Sequence, residues 1–206
     1  MATELKFCGM RREADILAAN ACLPDYIGFV FAAGARRAVT PETARELRAK
    51  ADPRILAVGV FADQSSAYIA ELAAMVPLDV IQLHGSESET VVEEIRQCTG
   101  KPVWRAFQVT APAVLTTAAA TGADGILFDS GKGSGKTFAW EWLRDFSRPY
   151  MLAGGLDIEN VGEAIKTLSP RGVDVSSALE TDGKKDPEKM RAFAEAVRRA
   201  DSETER

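Results

Sequence analysis

Residues 55–83 read ILAVGVFADQSSAYIAELAAMVPLDVIQL, and this stretch decides the fold. ILAVGVF at 55–61 is apolar without alternation, the mark of a strand buried on both faces. From 65 to 75 the apolar residues recur at three and four, as on one face of an amphipathic helix. A second short apolar run then begins at Leu78 and ends in Ile81-Gln82-Leu83. Two buried strands joined through a helix are parallel neighbours, because parallel pairing requires a crossover and the helix supplies it.

The same unit repeats outward in both directions. Apolar or β-branched runs begin near Leu5, Tyr26, Ile55, Leu78, Pro102, Gly125, Tyr150 and Gly172. Helical spacing fills 41–50, 65–75, 87–98 and 160–168. Thr40-Pro41 and Asp186-Pro187 each place a capping side chain before a proline that fits the first helical turn. Eight strand-helix pairs with no block of consecutive strands predict an α/β fold, a single (β/α)8 TIM barrel with a closed parallel eight-stranded sheet. A chain of 206 residues, 46% of them apolar, suits one such domain spanning 1–206. The polar stretch at 201–206 is expected to be a frayed tail.

Composition narrows the function. A net charge of −5 with interspersed signs offers no basic stripe for nucleic acid. MATELKFCGM lacks the apolar core of a secretory signal, and no apolar run reaches membrane-spanning length, so a soluble, cytoplasmic protein without membrane partners is expected. Cys8, Cys22 and Cys98 are scattered without metal-ligand spacing, and His84 is the single histidine. Neither a disulfide framework nor a metal site is predicted.

In a closed barrel the reactive groups belong at the C-terminal strand ends. Those ends carry Cys8-Gly9, Phe31 with Arg36 and Arg37 beyond it, Asp63, His84-Gly85, Asp129-Ser130, Gly154-Gly155 and Ser176-Ser177. Gly154-Gly155 and Ser176-Ser177 follow adjacent strands, where glycine lets backbone amides approach an anion, so they are expected to cradle phosphate. Ser130 to Thr137, SGKGSGKT, resembles a nucleotide-binding loop but fails its spacing, since Ser130 stands where the first glycine belongs. It reads better as a glycine-rich lid that closes over a ligand, with Gly133 and Gly135 among the substrate-binding residues. Gln82 and His84 share one strand face and are expected to point into the barrel mouth and orient substrate. Lys6 shares the face of Cys8 and Asp174 that of Ser176; strands one and eight adjoin in a closed barrel, so a buried Lys6–Asp174 ion pair is expected beneath the site.

Taken together, these strand-end motifs resemble phosphoribosylanthranilate isomerase from Lys6 to about Phe193. The resemblance rests on Lys6-Phe7-Cys8-Gly9; on Gly28-Phe29-Val30-Phe31 with Arg37-Ala38-Val39-Thr40-Pro41-Glu42; on Val58-Gly59-Val60-Phe61; and on Leu78 to Gly85 followed by Glu87. It continues in Asp129-Ser130 with the lid, Leu152 to Leu156 with Asn160-Val161, and Gly172 to Ser177. Ala35, Ala139 and Ala178 depart from the pattern, and Ala178 in place of glycine restricts positive φ beside the phosphate cradle.

The resemblance implies an Amadori rearrangement in tryptophan biosynthesis. N-(5-phosphoribosyl)anthranilate becomes 1-(2-carboxyphenylamino)-1-deoxyribulose 5-phosphate without a cofactor. By the same resemblance Asp129 is the general acid at the ring oxygen and Cys8 the general base at C2′. An acidic Asp129 has to be held protonated, and a basic Cys8 calls for a cation or helix terminus that lowers its pKa. Arg37 suits the anthranilate carboxylate because a guanidinium offers a planar fork, with Arg36 as the alternative one residue away. The partner is thus a small phosphorylated aminosugar, and the protein a monomer or homodimer. Other phosphosugar enzymes on this scaffold call for a lysine acid with glutamate partners or for a metal site, and a non-catalytic barrel would not need both Cys8 and Asp129.

Overall fold

The computed structural model describes residues 2–129 and 140–204. Eight strands close a parallel barrel in chain order: β1 (Glu4–Cys8), β2 (Tyr26–Val30), β3 (Leu56–Phe61), β4 (Val80–Leu83), β5 (Val103–Gln108), β6 (Gly125–Asp129), β7 (Tyr150–Ala153) and β8 (Gly172–Val175). The helices outside it are α1 (Glu13–Cys22), α2 (Pro41–Lys50), α3 (Ser66–Met75), α4 (Glu89–Thr99), α5 (Ala113–Ala120), α6 (Val161–Leu168) and α7 (Pro187–Thr204). Among the described residues none is long and apolar enough to cross a membrane.

Alternation along the strands sorts two cores. Outward residues such as Phe7, Ile27, Phe29, Ile81 and Phe128 pack under the helices. Inward residues Tyr26, Val58, Val80, Trp104, Leu127 and Met151 fill the barrel. Lys6 lies in that interior with no exposed surface, its Nζ 2.7 Å from Asp174 Oδ2, and the two residues are register partners on β1 and β8. The anticipated ion pair is therefore present.

Three strands start slightly later than the apolar pattern suggests, at Leu56, Val80 and Val103. Aspartates at the base of the barrel organise that rim: Asp25 accepts from Leu5 N at 2.7 Å, Asp79 from Ala57 N at 2.7 Å and Asp124 from Val103 N at 2.8 Å. Each carboxylate satisfies a backbone donor of the preceding strand where the ladder begins. Asp79 and Asp124 thus stand just outside the strands they precede.

Two expectations need correction. Between β6 and β7 the described residues form a short 3-10 turn (Trp140–Leu143) in place of an α-helix. Leu143 is buried there, and Phe146 packs edge-on against Phe128 at 4.9 Å and Tyr150 at 5.8 Å. Aromatic side chains thereby cover the outer face that a helix would otherwise cover. The polar residues from 201 also do not fray at once. α7 runs through Thr204 because Ala200 is buried and Asp201 accepts from Thr3 N at 2.9 Å and Thr3 Oγ1 at 2.5 Å.

Candidate active site

The C-terminal strand ends surround a cavity of about 910 Å³. Cys8, Arg37, Gln82, His84, Asp129, Gly154, Gly155, Ser176 and Ser177 all line it, as does Arg36. Gly133 and Gly135 lie outside the described residues.

Cys8 ends β1, and its register partner on β2 is Gly28. A Cβ at position 28 would stand 2.8 Å from the Cys8 sulfur, so glycine there makes the space that the thiol occupies. Gly9 follows with φ +82°, and a Cβ on it would stand 2.4 Å from Arg37 Cδ. The arginine therefore crosses the chain where only glycine leaves room. Burial pushes the Cys8 thiol up; the Lys6 ammonium pulls it down, Asp174 raises it again and Lys185 opposes that, leaving it above its ordinary value. Cations stand beside the sulfur as the chemistry calls for, but desolvation outweighs them.

Asp129 ends β6, across the barrel from Cys8. His84 Nε2 lies 3.2 Å from Asp129 Oδ2, and His84 Nδ1 lies 3.1 Å from Gln82 Nε2. Among the described residues, Gln82 Oε1 and Asp174 Oδ1 are buried acceptors without a partner, and both residues line the cavity. Unpaired buried acceptors are rare, and here they mark positions where a ligand could donate.

On the same rim, between the ends of β6 and β1, Gly154 and Gly155 turn the chain with φ +82° and +67°. Asn160 locks this turn, its Nδ2 donating to Gly155 O at 2.8 Å while its Oδ1 accepts from Asp157 N at 3.0 Å. Ser177 opens a 3-10 turn (Ser177–Leu179) in which Ala178 keeps a negative φ. The alanine is therefore accommodated without strain, because the loop coils rather than reversing at that point.

Sequence reasoning missed the groups that hold this rim together. After the 3-10 turn, β9 (Glu180–Thr181) and β10 (Lys184–Lys185) form an antiparallel hairpin. Lys185 Nζ donates to Ser176 O at 2.8 Å and Oγ at 3.3 Å and lies 3.3 Å from Glu180 Oε1. Glu180 also receives Arg37 Nε at 2.5 Å and Arg36 at 2.5 Å. Burial pushes the Glu180 carboxyl up, but bonds from Arg37 and Lys185 hold it down at about 2. Asp182-Gly183, a hairpin-turn dipeptide, was the available signal.

A family model described as N-(5'phosphoribosyl)anthranilate (PRA) isomerase matches residues 5–196. The chain belongs to the phosphoribosylanthranilate isomerase family. The N-(5'-phosphoribosyl)anthranilate isomerase of Endomicrobium trichonymphae is 41% identical over 192 residues, covering 91% of this chain and 94% of the relative. The crystal structure of the phosphoribosyl anthranilate isomerase from Thermus thermophilus superposes with a TM-score of 0.87 at 34% identity, covering 96% of this chain and 99% of that one. Another phosphoribosyl anthranilate isomerase, solved in complex with reduced 1-(o-carboxyphenylamino)-1-deoxyribulose 5-phosphate, gives 0.86 at 32% identity over 95% of this chain and 98% of that one. This member thus carries the isomerase family's barrel over nearly its full length.

Proposed function

We propose that the cavity catalyses the Amadori rearrangement of N-(5-phosphoribosyl)anthranilate, with Asp129 as general acid and Cys8 as general base. The observation that carries this reading is that both residues line one cavity from opposed strands, in a chain of the isomerase family. Asp129 gives its proton to the ring oxygen, and the C1′–O bond breaks as the nitrogen lone pair leaves a protonated imine. Cys8, as thiolate, takes the proton from C2′, the electron pair forms the C1′=C2′ bond of a neutral enolamine, and loss of the 2′-hydroxyl proton with protonation of C1′ gives the product ketone. Oxidation at C2′ balances reduction at C1′ within one molecule, so the step needs no external reductant.

The other residues bind. Gly154-Gly155 with Ser176-Ser177 offers the phosphate end, Arg37 the anthranilate carboxylate, and Gln82 Oε1 with Asp174 Oδ1 acceptors for sugar hydroxyls. We assign the protein to the cytoplasm as a monomer or homodimer, with a small phosphorylated aminosugar as its partner. Following the fluorescence of phosphoribosylanthranilate with purified protein tests the reading: substrate-dependent decay supports it, and no decay at micromolar enzyme sinks it.

A further inference from the structure

The single histidine stands between an amide and a carboxyl. Gln82 is 1% exposed, two residues below His84 on the same inward face of the barrel. Its side-chain nitrogen meets His84 Nδ1 at 3.1 Å, while its Oε1 has no partner among the described residues. A carboxamide nitrogen only donates, so the ring nitrogen facing it must accept. In a neutral imidazole the proton then sits on the other nitrogen, Nε2, which lies 3.2 Å from Asp129 Oδ2.

We propose that Gln82 is a positioning residue: it holds His84 in the Nε2–H tautomer, and His84 in turn donates to Asp129 Oδ2 and fixes the carboxyl at the cavity mouth. The inference rests on the reading of Asp129 as the acid. A carboxyl oxygen that receives an N–H is not the one bearing the transferable proton, so the chain also selects which oxygen of Asp129 delivers it. Turning the Gln82 amide around would reverse every role. Its oxygen would then accept from Nδ1–H, and the bare Nε2 would face Asp129. The bond at Nδ1 and the Asp129 carboxyl 3.2 Å from Nε2 together restrain the imidazole from rotating, which a histidine at an open mouth would otherwise do.

One histidine in the chain makes the test unambiguous. With 15N-labelled histidine in the full-length protein at about pH 8.5, above the ordinary imidazole pKa of about 6.5, the nitrogen spectrum is expected to show a neutral ring protonated at Nε2. A ring protonated mainly at Nδ1 overturns the proposal. Gln82→Glu presents only acceptors, so it is expected to place a proton on Nδ1 and to lower kcat by about ten- to a hundredfold. An unchanged nitrogen spectrum in that variant overturns the proposal as well, and the wild-type spectrum stands on its own if the variant does not fold. A wild-type protein inactive as an isomerase but showing Nε2–H would sink the function and leave the tautomer. An active one showing Nδ1–H would sink only the role of Gln82.

Discussion

Arg37 and Glu180 face each other across the seam between the loops after β2 and β8, with Arg37 Nε 2.5 Å from Glu180 Oε1 and an Nη 3.2 Å from Oε2. The arginine assigned to the substrate carboxylate already holds one carboxylate of the protein, and that bidentate grip fixes its plane. Arg37 is 21% exposed and Arg36 61%, so the guanidinium with the better-defined position is that of Arg37. Arg37→Lys is expected to raise KM several-fold and Arg36→Lys to change it little; steady-state kinetics that reverse this order would move the carboxylate partner to Arg36.

Glu180→Gln should weaken both substrate binding and the fold. The Glu180 carboxyl is held at about 2 in the folded protein, below the ordinary unfolded value of about 4.3. Its contribution, on the order of 2 kcal/mol, is therefore complete above the unfolded value and fades as pH falls toward 2. Urea melts at pH 7 and at about pH 2.5 should show the variant less stable than wild type at the first and its deficit much reduced at the second. An equal deficit at both pH values would assign the loss to packing instead.

Cys8→Ala and Asp129→Ala should each lower kcat by about two to four orders of magnitude while circular dichroism and melting remain near wild type. Neither residue anchors the core, because both sit at the cavity rim rather than between barrel and helices. Near-normal turnover in either variant removes that residue from the mechanism.

Burial leaves the Cys8 thiol raised, so the thiolate fraction, and with it kcat/KM, should climb as pH increases past neutrality. Lys185 opposes that rise through its charge near the sulfur. Lys185→Met is accordingly expected to shift the ascending limb of the pH profile to higher pH. A limb that moved down, or stayed in place while only KM changed, would mean that the Lys185 charge does not reach the thiol.

Lys6 and Asp174 should each be costly to remove singly. Lys6→Ala or Asp174→Ala strands a charge in the barrel interior, with an expected loss of about 3 to 5 kcal/mol in chemical denaturation. Replacing both by apolar residues of similar volume, Lys6→Met with Asp174→Leu, should recover most of that stability. Single variants that melt like wild type would dismiss the pair as a structural element.

Gly28→Ala adds a Cβ 2.8 Å from the Cys8 sulfur and 3.2 Å from its Cα. The sulfur is the movable partner, so the variant should fold and lose about tenfold or more in kcat through a displaced base. Full activity in the alanine variant would show that the position of the sulfur is not critical.

Periodicity in residues 55–83 already contained the architecture, because burial on both faces keeps those strands apolar nearly to their ends. The same logic exposed Cys8, His84, Asp129 and the Gly-Gly and Ser-Ser pairs as strand-end groups, and the face shared by Lys6 and Cys8 implied the partner on β8. Elements held by local rules, such as the Thr40 and Asp186 caps, were equally legible; the Thr40 hydroxyl accepts from Thr43 N at 3.2 Å and Asp186 Oδ1 from Glu188 N at 2.9 Å. Tertiary structure alone decided the rest. Glu180 and Lys185 read along the chain as ordinary surface charges, and only closure of the barrel brings Glu180 against Arg37, 143 residues away in sequence, and Lys185 beside the Cys8 thiol. The balance at that thiol was likewise undecidable from sequence, because desolvation depends on how completely the fold surrounds the sulfur and the opposing cations arrive from β1 and from the hairpin after β8. Pattern along a chain reports which faces are apolar, whereas distances between charges from remote segments exist only once those faces have been packed.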